Sequence, residues 1–294
     1  MTLDYLFYEL LDKHGLEATY AFIRDRTRAI RTDFTIQHDK GPIAIECFER
    51  IARFHILAVH RFCERDDVRG FDYWQEIEQM MKSPSAPFSQ ITLLTYQIWF
   101  TALQSLMQFY DDNEGKLESP NEAEFRSYYI LAHIRDTNSM RRLQSLAPHI
   151  FLDPTLQTAL EFRSYAQRNT HFERRSSSRR AAKLKFRNSE ACLNAFTRFF
   201  KRVQNEGTSY LMGCLLEYHF GGVRKGAIHA LWKAYSARHR PLPTSYLMEM
   251  LGIDSEEKTV EVARRFGMSV VEEVEELSAT SAVQLNKNSK FERE

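Results

Sequence analysis

The sequence predicts a mainly α-helical protein, an irregular TPR-like α-solenoid over residues 1–220 followed by a winged-helix region over residues 221–294. Three observations carry that expectation. Only 11 Gly and 8 Pro interrupt 294 residues. The stretches between them space apolar side chains three and four apart, the period of one helix face. Beyond residue 240, short helical patterns give way to β-branched stretches of strand character.

In chain order, apolar stripes predict helices near 3–13, 16–30, 42–63, 71–82, 89–110, 121–134, 138–146, 154–169, 188–204, 208–219 and 222–236. The segment 42–63 is the clearest. Ala44, Phe48, Ile51, Ala52, His55, Ile56, Val59 and Phe62 form one stripe, with Glu46, Glu49, Arg50 and Arg53 on the rest of the surface. Pro42 is pre-set for the first turn. Short polar turns such as Ser83-Pro84-Ser85 and Ser119-Pro120-Asn121 join the pieces into stacked hairpins, with no strict repeat.

Gly221-Gly222 is expected to break the helix before it, so GGVRKGAIHALWKAYS opens the winged helix. Pro241 and Pro243 force an extended turn, and Thr244 is placed to cap a second helix, TSYLMEMLG. Asp254 and Glu257 have the spacing of a capping box for a third helix, ended by Gly267. Val270-Val271 and Ala282 to Leu285 read as two short strands around a polar loop, 272–281.

Forty Lys+Arg against 39 Asp+Glu leave a formal charge of +1, so whole-molecule charge attracts no polyanion. Hydrophobic residues make up 43% and aromatics 13%, too apolar for a disordered chain. Charged residues interrupt every run that approaches membrane-span length, and the first residues, with Asp4 and Glu9, do not read as a signal peptide. Cys47, Cys63, Cys192 and Cys214 lie far apart, which predicts free thiols in a reducing cytosol or nucleus.

Catalytic templates are missing: there is no HExxH, GxSxG, GxGxxG or Walker A, and the nearest phosphate loop, Gly221 to Gly226, continues with Ala227 instead of Lys. Ten histidines lack ligand spacing; His55 and His60 are five apart on different helix faces. No enzyme activity, metal or cofactor is expected. Asp66-Asp67 and Asp111-Asp112 read as loop and cap residues.

Charge clusters locally. Arg163, Arg168, Arg174, Arg175, Arg179, Arg180, Lys183, Lys185 and Arg187 face a single acid, Glu173, around Ser176-Ser177-Ser178. The segment fits either phosphate contacts or a solvated loop. Arg224, Lys225, Lys233, Arg238 and Arg240 form a second basic group. Nucleic-acid contact is therefore assigned to Arg174, Arg175, Arg179, Arg180, Lys183, Lys185 and this second group. Against base readout, the third helix carries Glu256, Glu257 and Glu261 and the following segment Glu272, Glu273, Glu275 and Glu276, which repel phosphates. The winged helix is better suited to a protein partner. Tyr246, Leu247, Met250 and Leu251, together with a strand edge at Val283 and Leu285, are the expected docking residues.

FIRDRTRAIRTDFTIQHDKGPIAIECFERIARFHILAVH, residues 22–60, closely resembles the signature of the SAC/GANP family, the scaffold subunit of the TREX-two messenger-RNA export complex. NEAEFRSYYIL at 121–131, FTRFFKRV at 196–203, YLMGCLL at 210–216 and VRKGAIHALWKAY at 223–235 extend the resemblance over most of the chain. The Arg/Ser segment 172–187 fits no family pattern. The resemblance implies a helical repeat ending in a PCI-type winged helix, and a location in the nucleus, at the nuclear pore on the nuclear envelope. It implies as partners a PCI-domain subunit and a small acidic peptide subunit held mainly by that subunit. Contacts with the nuclear pore would belong to regions outside this chain, which looks like the middle region of a longer protein.

Within the signature, Arg24, Arg26, Arg28 and Arg31 alternate with Asp25 and Asp33. Acids three or four residues away would pair with the arginines in a network tying adjacent helices, or the helix would offer a nucleic-acid surface. The expected function is a non-enzymatic scaffold that binds RNA or DNA without sequence specificity. The alternative is a structural PCI subunit of a lid-type assembly (proteasome, signalosome or initiation factor), for which no basic surface is needed.

Overall fold

Proline and glycine punctuation divides the chain much as its apolar periodicity demands. The computed structural model describes residues 2–63, 90–115, 119–134, 138–170, 195–235, 242–266, 268–275 and 278–284, and it is mainly helical. The predicted helix 71–82, the turn Ser83-Pro84-Ser85, Asp66-Asp67 and Cys192 lie outside the described residues. The chain divides into two units, Met1–Glu161 with Ser209–Tyr218, and Phe162–Thr208 with His219–Glu294.

The first unit opens with a short helical turn, Thr2–Asp4, and a wider π-type turn, Tyr5–Leu10, leading into α1, Leu11–Gln37. Gly15 (φ 76°, ψ 163°) interrupts the helical path where two separate stripes were expected, a backbone conformation that costs glycine little. Leu3, Leu6, Tyr20 and Ile23 pack with Ile51, Phe54 and Ala58. His38 ends α1 in the left-handed region, and the Asp39 amide donates back to the Phe34 carbonyl.

Helix α2, Pro42–Cys63, coincides with the predicted span. Ala44, Phe48, Ile51, Ala52, His55, Ile56 and Val59 are all buried. Burying each large apolar side chain contributes about 1.5–3 kcal/mol. Helix α3, Gln90–Asp112, lies against α2, with the Phe109 ring edge-on to Phe48 at 4.9 Å.

One residue of α2 departs from its expected place. Glu49, expected at the surface, is 2% exposed. The Tyr110 and Ser119 hydroxyls donate to its Oε1 at 2.6 and 2.7 Å, and Asn121 Nδ2 donates to its Oε2 at 2.7 Å. A buried carboxylate needs such donors to offset its lost hydration. Glu122–Ala132 forms α4. Arg53 reaches Glu124 through Nε at 3.1 Å and Nη2 at 2.6 Å, with its guanidinium over the Phe125 ring. Buried Arg126 pairs with Glu122 and Asp111.

The signature arginines pair differently from the expected three-or-four spacing. Arg24 pairs with adjacent Asp25 at 3.0 Å, Arg26 stacks over Phe22, and Arg31 donates to the Thr101 hydroxyl of α3 at 3.4 Å. His55 is fully buried, and burial together with the charges of Arg31 and Arg24 pulls its pKa down to about 3.

After the short helices Asn138–Leu143 and Pro148–Phe151 comes α5, Pro154–Thr170. Arg163 on α5 is 4% exposed and so is withdrawn from any surface patch. Ala195–Val203 forms α6 and Tyr210–Tyr235 forms α7. The expected break at Gly221-Gly222 does not occur. Two glycines weaken a helix by about 1 kcal/mol each, yet Val223, Ala227 and Ile228 bury on the same element and outweigh that loss.

The second unit ends in a three-stranded antiparallel sheet of order β1-β3-β2. Leu242–Pro243 is β1, Ser269–Glu275 is β2 and Ser278–Gln284 is β3, with α8, Thr244–Leu251, and α9, Glu256–Arg265, between β1 and β2. The expected polar loop 272–281 is mostly strand: Glu272 pairs with Ser281, Glu273 with Thr280 and Val274 with Ala279. Backbone pairing carries a ladder whatever the side chains' polarity, which is why glutamates disguised it.

Candidate nucleic-acid and partner interface

The second unit holds those predicted contact residues that the structure describes. Helix α6 reads AFTRFFKRV, and its inward face buries Ala195, Phe196, Phe199 and Phe200. Phe199 meets Phe162 at 5.4 Å, and Phe200 meets Phe220 of α7 at 5.3 Å. With that face fixed, Arg198 and Lys201 stand exposed and Arg202 half-exposed on the opposite side. Lys201 lies 3.8 Å from Glu249, both well exposed, a separation that contributes little.

Arg224 occupies a different setting from the phosphate contact expected of it. Its Nε donates to the Leu251 carbonyl at 2.9 Å and its Nη2 to the Gly252 carbonyl at 2.5 Å. The guanidinium lies 5.5 Å from the Phe200 centroid and 5.3 Å from that of Phe220. It therefore satisfies carbonyls left open at the end of α8 while stacking between two rings. Gly252 closes α8 in the left-handed region, φ 57°; a Cβ there would meet Phe200 Cδ1 at 2.6 Å. Only glycine fits that approach.

Of the other predicted basic residues, Lys225 is half-exposed and Lys233 lies on α7. Arg174, Arg175, Arg179, Arg180, Lys183, Lys185, Arg238 and Arg240 lie outside the described residues.

The apolar stripe of α8 is corrected in part. Leu247, Met250 and Leu251 are 2%, 7% and 0% exposed, because they pack into this unit's own core. Tyr246, 45% exposed, is the member left at the surface. Val283 sits on β3, which is the central strand, flanked by Leu242 and Val270. The edge positions belong to β2 and the two-residue β1 instead, and Leu285 lies outside the described residues. Thr244 is the first residue of α8, after Pro243 at the cap position. At α9 the cap is Ser255, whose side chain accepts from the Lys258 amide at 3.2 Å, one residue later than the expected Asp254 box. The exposed acids Glu256, Glu257 and Glu261 stand as expected on α9.

Sequence reasoning missed the ridge of Arg198, Lys201 and Arg202. The i, i+3, i+4 spacing of basic residues opposite three phenylalanines was the available signal, hidden because a charge count over long windows favours the denser segment before it. Among the described residues, no group of three or more His, Cys, Asp or Glu is placed to hold a metal ion, and no helix is long and apolar enough to cross a membrane. Cys214 is a buried free thiol and Cys47 a half-buried one.

A mainly α-helical protein closed by a small antiparallel sheet is the class that these elements define. The sequence pattern of the SAC3/GANP family matches residues 1–272, and the chain belongs to that family. It is 40% identical over 292 residues to SAC3 family protein 1 of Schizosaccharomyces pombe (strain 972), across 99% of this chain and 25% of that protein. Protein xmas of Drosophila melanogaster is 27% identical over 284 residues, 92% of this chain and 12% of that protein. SAC3 family protein B of Arabidopsis thaliana is 29% identical over 265 residues, 87% of this chain and 13% of that protein. The chain thus spans a quarter or less of the length of these relatives.

Proposed function

We propose that this chain is the middle part of a non-enzymatic scaffold of a nuclear messenger-RNA export complex of the TREX-two type. It comprises a helical-repeat region over 1–220 and a PCI-type winged helix over 221–294. It binds a PCI-domain subunit, and through that subunit a small acidic peptide. With its partner it forms a basic platform for RNA or DNA in the nucleus, near the nuclear pore. The observation that carries this reading is the family match over residues 1–272, which takes in the helices of both units and reaches into β2. The order β1-α8-α9-β2-β3 supports a winged helix. Tyr246 at the surface, with β2 at the sheet edge, supports docking of another chain there.

A pull-down from nuclear extract with this chain tests the proposal. One PCI-domain subunit and one small acidic peptide are the expected catch. Recovery of proteasome, signalosome or initiation-factor subunits in their place would assign the chain to a lid-type assembly. Truncation at Asp254 is expected to abolish the capture and leave the first unit helical by circular dichroism. Capture that survives truncation would move the docking site into the helical repeat.

A further inference from the structure

We propose that the outward ridge of α6, formed by Arg198, Lys201 and Arg202, contacts the phosphates of single-stranded nucleic acid, an assignment that rests on the proposal that the chain binds nucleic acid. The three cations lie at i, i+3 and i+4, so their side chains emerge about 5–6 Å apart on one face. Like charges at that spacing destabilise a helix. Helix α6 contains no acidic residue to offset Arg198 and Lys201, the two exposed members of the ridge. Glu249 approaches Lys201 only at 3.8 Å from a neighbouring element, and exposed Glu206 falls in the turn beyond the helix.

A structural account explains only part of this concentration of charge. Lys201 and Arg202 occupy the last turn, where cations complement the helix dipole. Arg198 stands a turn earlier and gains nothing from it. Arg198 itself makes no ion pair among the described residues, whereas Arg224, the basic residue first expected to meet phosphate, is held by two carbonyls and two rings. The ridge cannot turn inward, because Phe196, Phe199 and Phe200 commit the opposite face to the core. A polyanion is the ligand that relieves the repulsion of such a ridge, and the sequence leading into α6 carries the densest basic segment of the chain.

The buried phenylalanines also fix the kind of recognition. They offer no stacking surface to bases, so the ridge contacts phosphates alone and discriminates little between sequences. Arg198 and Arg202, one helix turn apart, meet successive phosphates of one strand, and Lys201 lies between them.

The test uses the whole chain and a fluorescein-labelled uridine 20-mer, followed by anisotropy from low to moderate salt. Arg198→Gln with Lys201→Gln removes two exposed charges without touching the core. With a single-strand slope of about 0.7 per contact, affinity is expected to fall about fivefold per lost contact at 0.1 M salt, about 25-fold for the pair, and the log–log slope to flatten by about 1.4. A cytidine 20-mer is expected to respond in the same way. Wild-type binding that the double variant leaves unchanged in affinity and slope would overturn the ridge alone. No binding by the wild-type chain, alone or with its PCI partner, would overturn the nucleic-acid proposal beneath it. If a glutamate 20-mer binds the ridge in place of RNA, the ligand is an acidic protein segment and the assignment is wrong. Circular dichroism confirms that the double variant is folded. The charge-reversing pair Arg198→Glu and Lys201→Glu is then expected to weaken binding further.

Discussion

Arg224→Lys separates two roles that one basic residue can have. Lysine preserves the charge, so a phosphate contact at this position would survive, with its salt dependence intact. It loses the planar fork that reaches both Leu251 and Gly252, and most of the stacking between Phe200 and Phe220. Hydrogen bonds from a charged donor contribute about 1.5–3 kcal/mol each. Cation–ring stacking adds about 0.5–1 kcal/mol at a partly exposed site. Lysine retains one of the two bonds, so the expected loss is about 2 kcal/mol. The readout is hydrogen exchange of the Ile253 amide, which donates to the Met248 carbonyl just past the end of α8. A loss of about 2 kcal/mol corresponds to roughly thirtyfold faster exchange at that amide. RNA affinity is expected to stay within about twofold of wild type. Unchanged exchange in Arg224→Lys, with RNA affinity and salt slope lost in Arg224→Glu, would refute the capping role and restore Arg224 to the phosphate contacts.

Two further outcomes follow from buried geometry. Gly252→Ala places a Cβ 2.6 Å from Phe200 in a left-handed backbone; strain and overpacking together are expected to cost about 2–4 kcal/mol, read as a lower urea midpoint for the second unit, and wild-type stability would contradict the close approach. The folded pKa of His55, about 3, lies below its ordinary value of 6.5, so the unfolded chain binds the extra proton first. Its contribution to stability is complete above about pH 6.5 and drains away as pH falls from there toward 3. His55→Gln is expected to flatten urea midpoints between pH 6.5 and 4 relative to wild type, and parallel pH profiles would count against the burial of a neutral imidazole.

Much of α2 was legible because its stripe is local: Ala44 through Val59 repeat at helical spacing, and burial follows the repeat. Glu49 was not, since its donors come from residues 61 to 72 positions further along the chain. No window around residue 49 contains them. The hairpin β2-β3 was legible at its open end, Val270-Val271 against Ala282-Val283, and its remainder hid for the opposite reason. Its glutamates, serines and threonines read locally as loop, whereas the ladder is decided by backbone pairing across the turn. At the candidate interface, counting charges found Arg224 but could not foresee two carbonyls and two rings around it. The ridge on α6 was readable from spacing alone. The burial of Leu247, Met250 and Leu251 was not, because a short apolar helix looks the same whether its own core or another chain covers it.

The carboxylate of Glu49 has a consequence for how this sequence can change. It is held by neutral donors from Tyr110, Ser119 and Asn121, so the four positions are energetically one unit. Losing Asn121 while Glu49 remains leaves a buried oxygen short of a partner, whereas the same loss after Glu49 has become an apolar residue removes nothing that is needed. The effect of each substitution thus depends on which came first, with a coupling of about 0.5–3 kcal/mol between neighbours of this kind. Replacing Glu49 first in turn strands the buried Tyr110 hydroxyl without its carboxylate acceptor, so the sequence leaves this arrangement at low cost only when acceptor and donors change together.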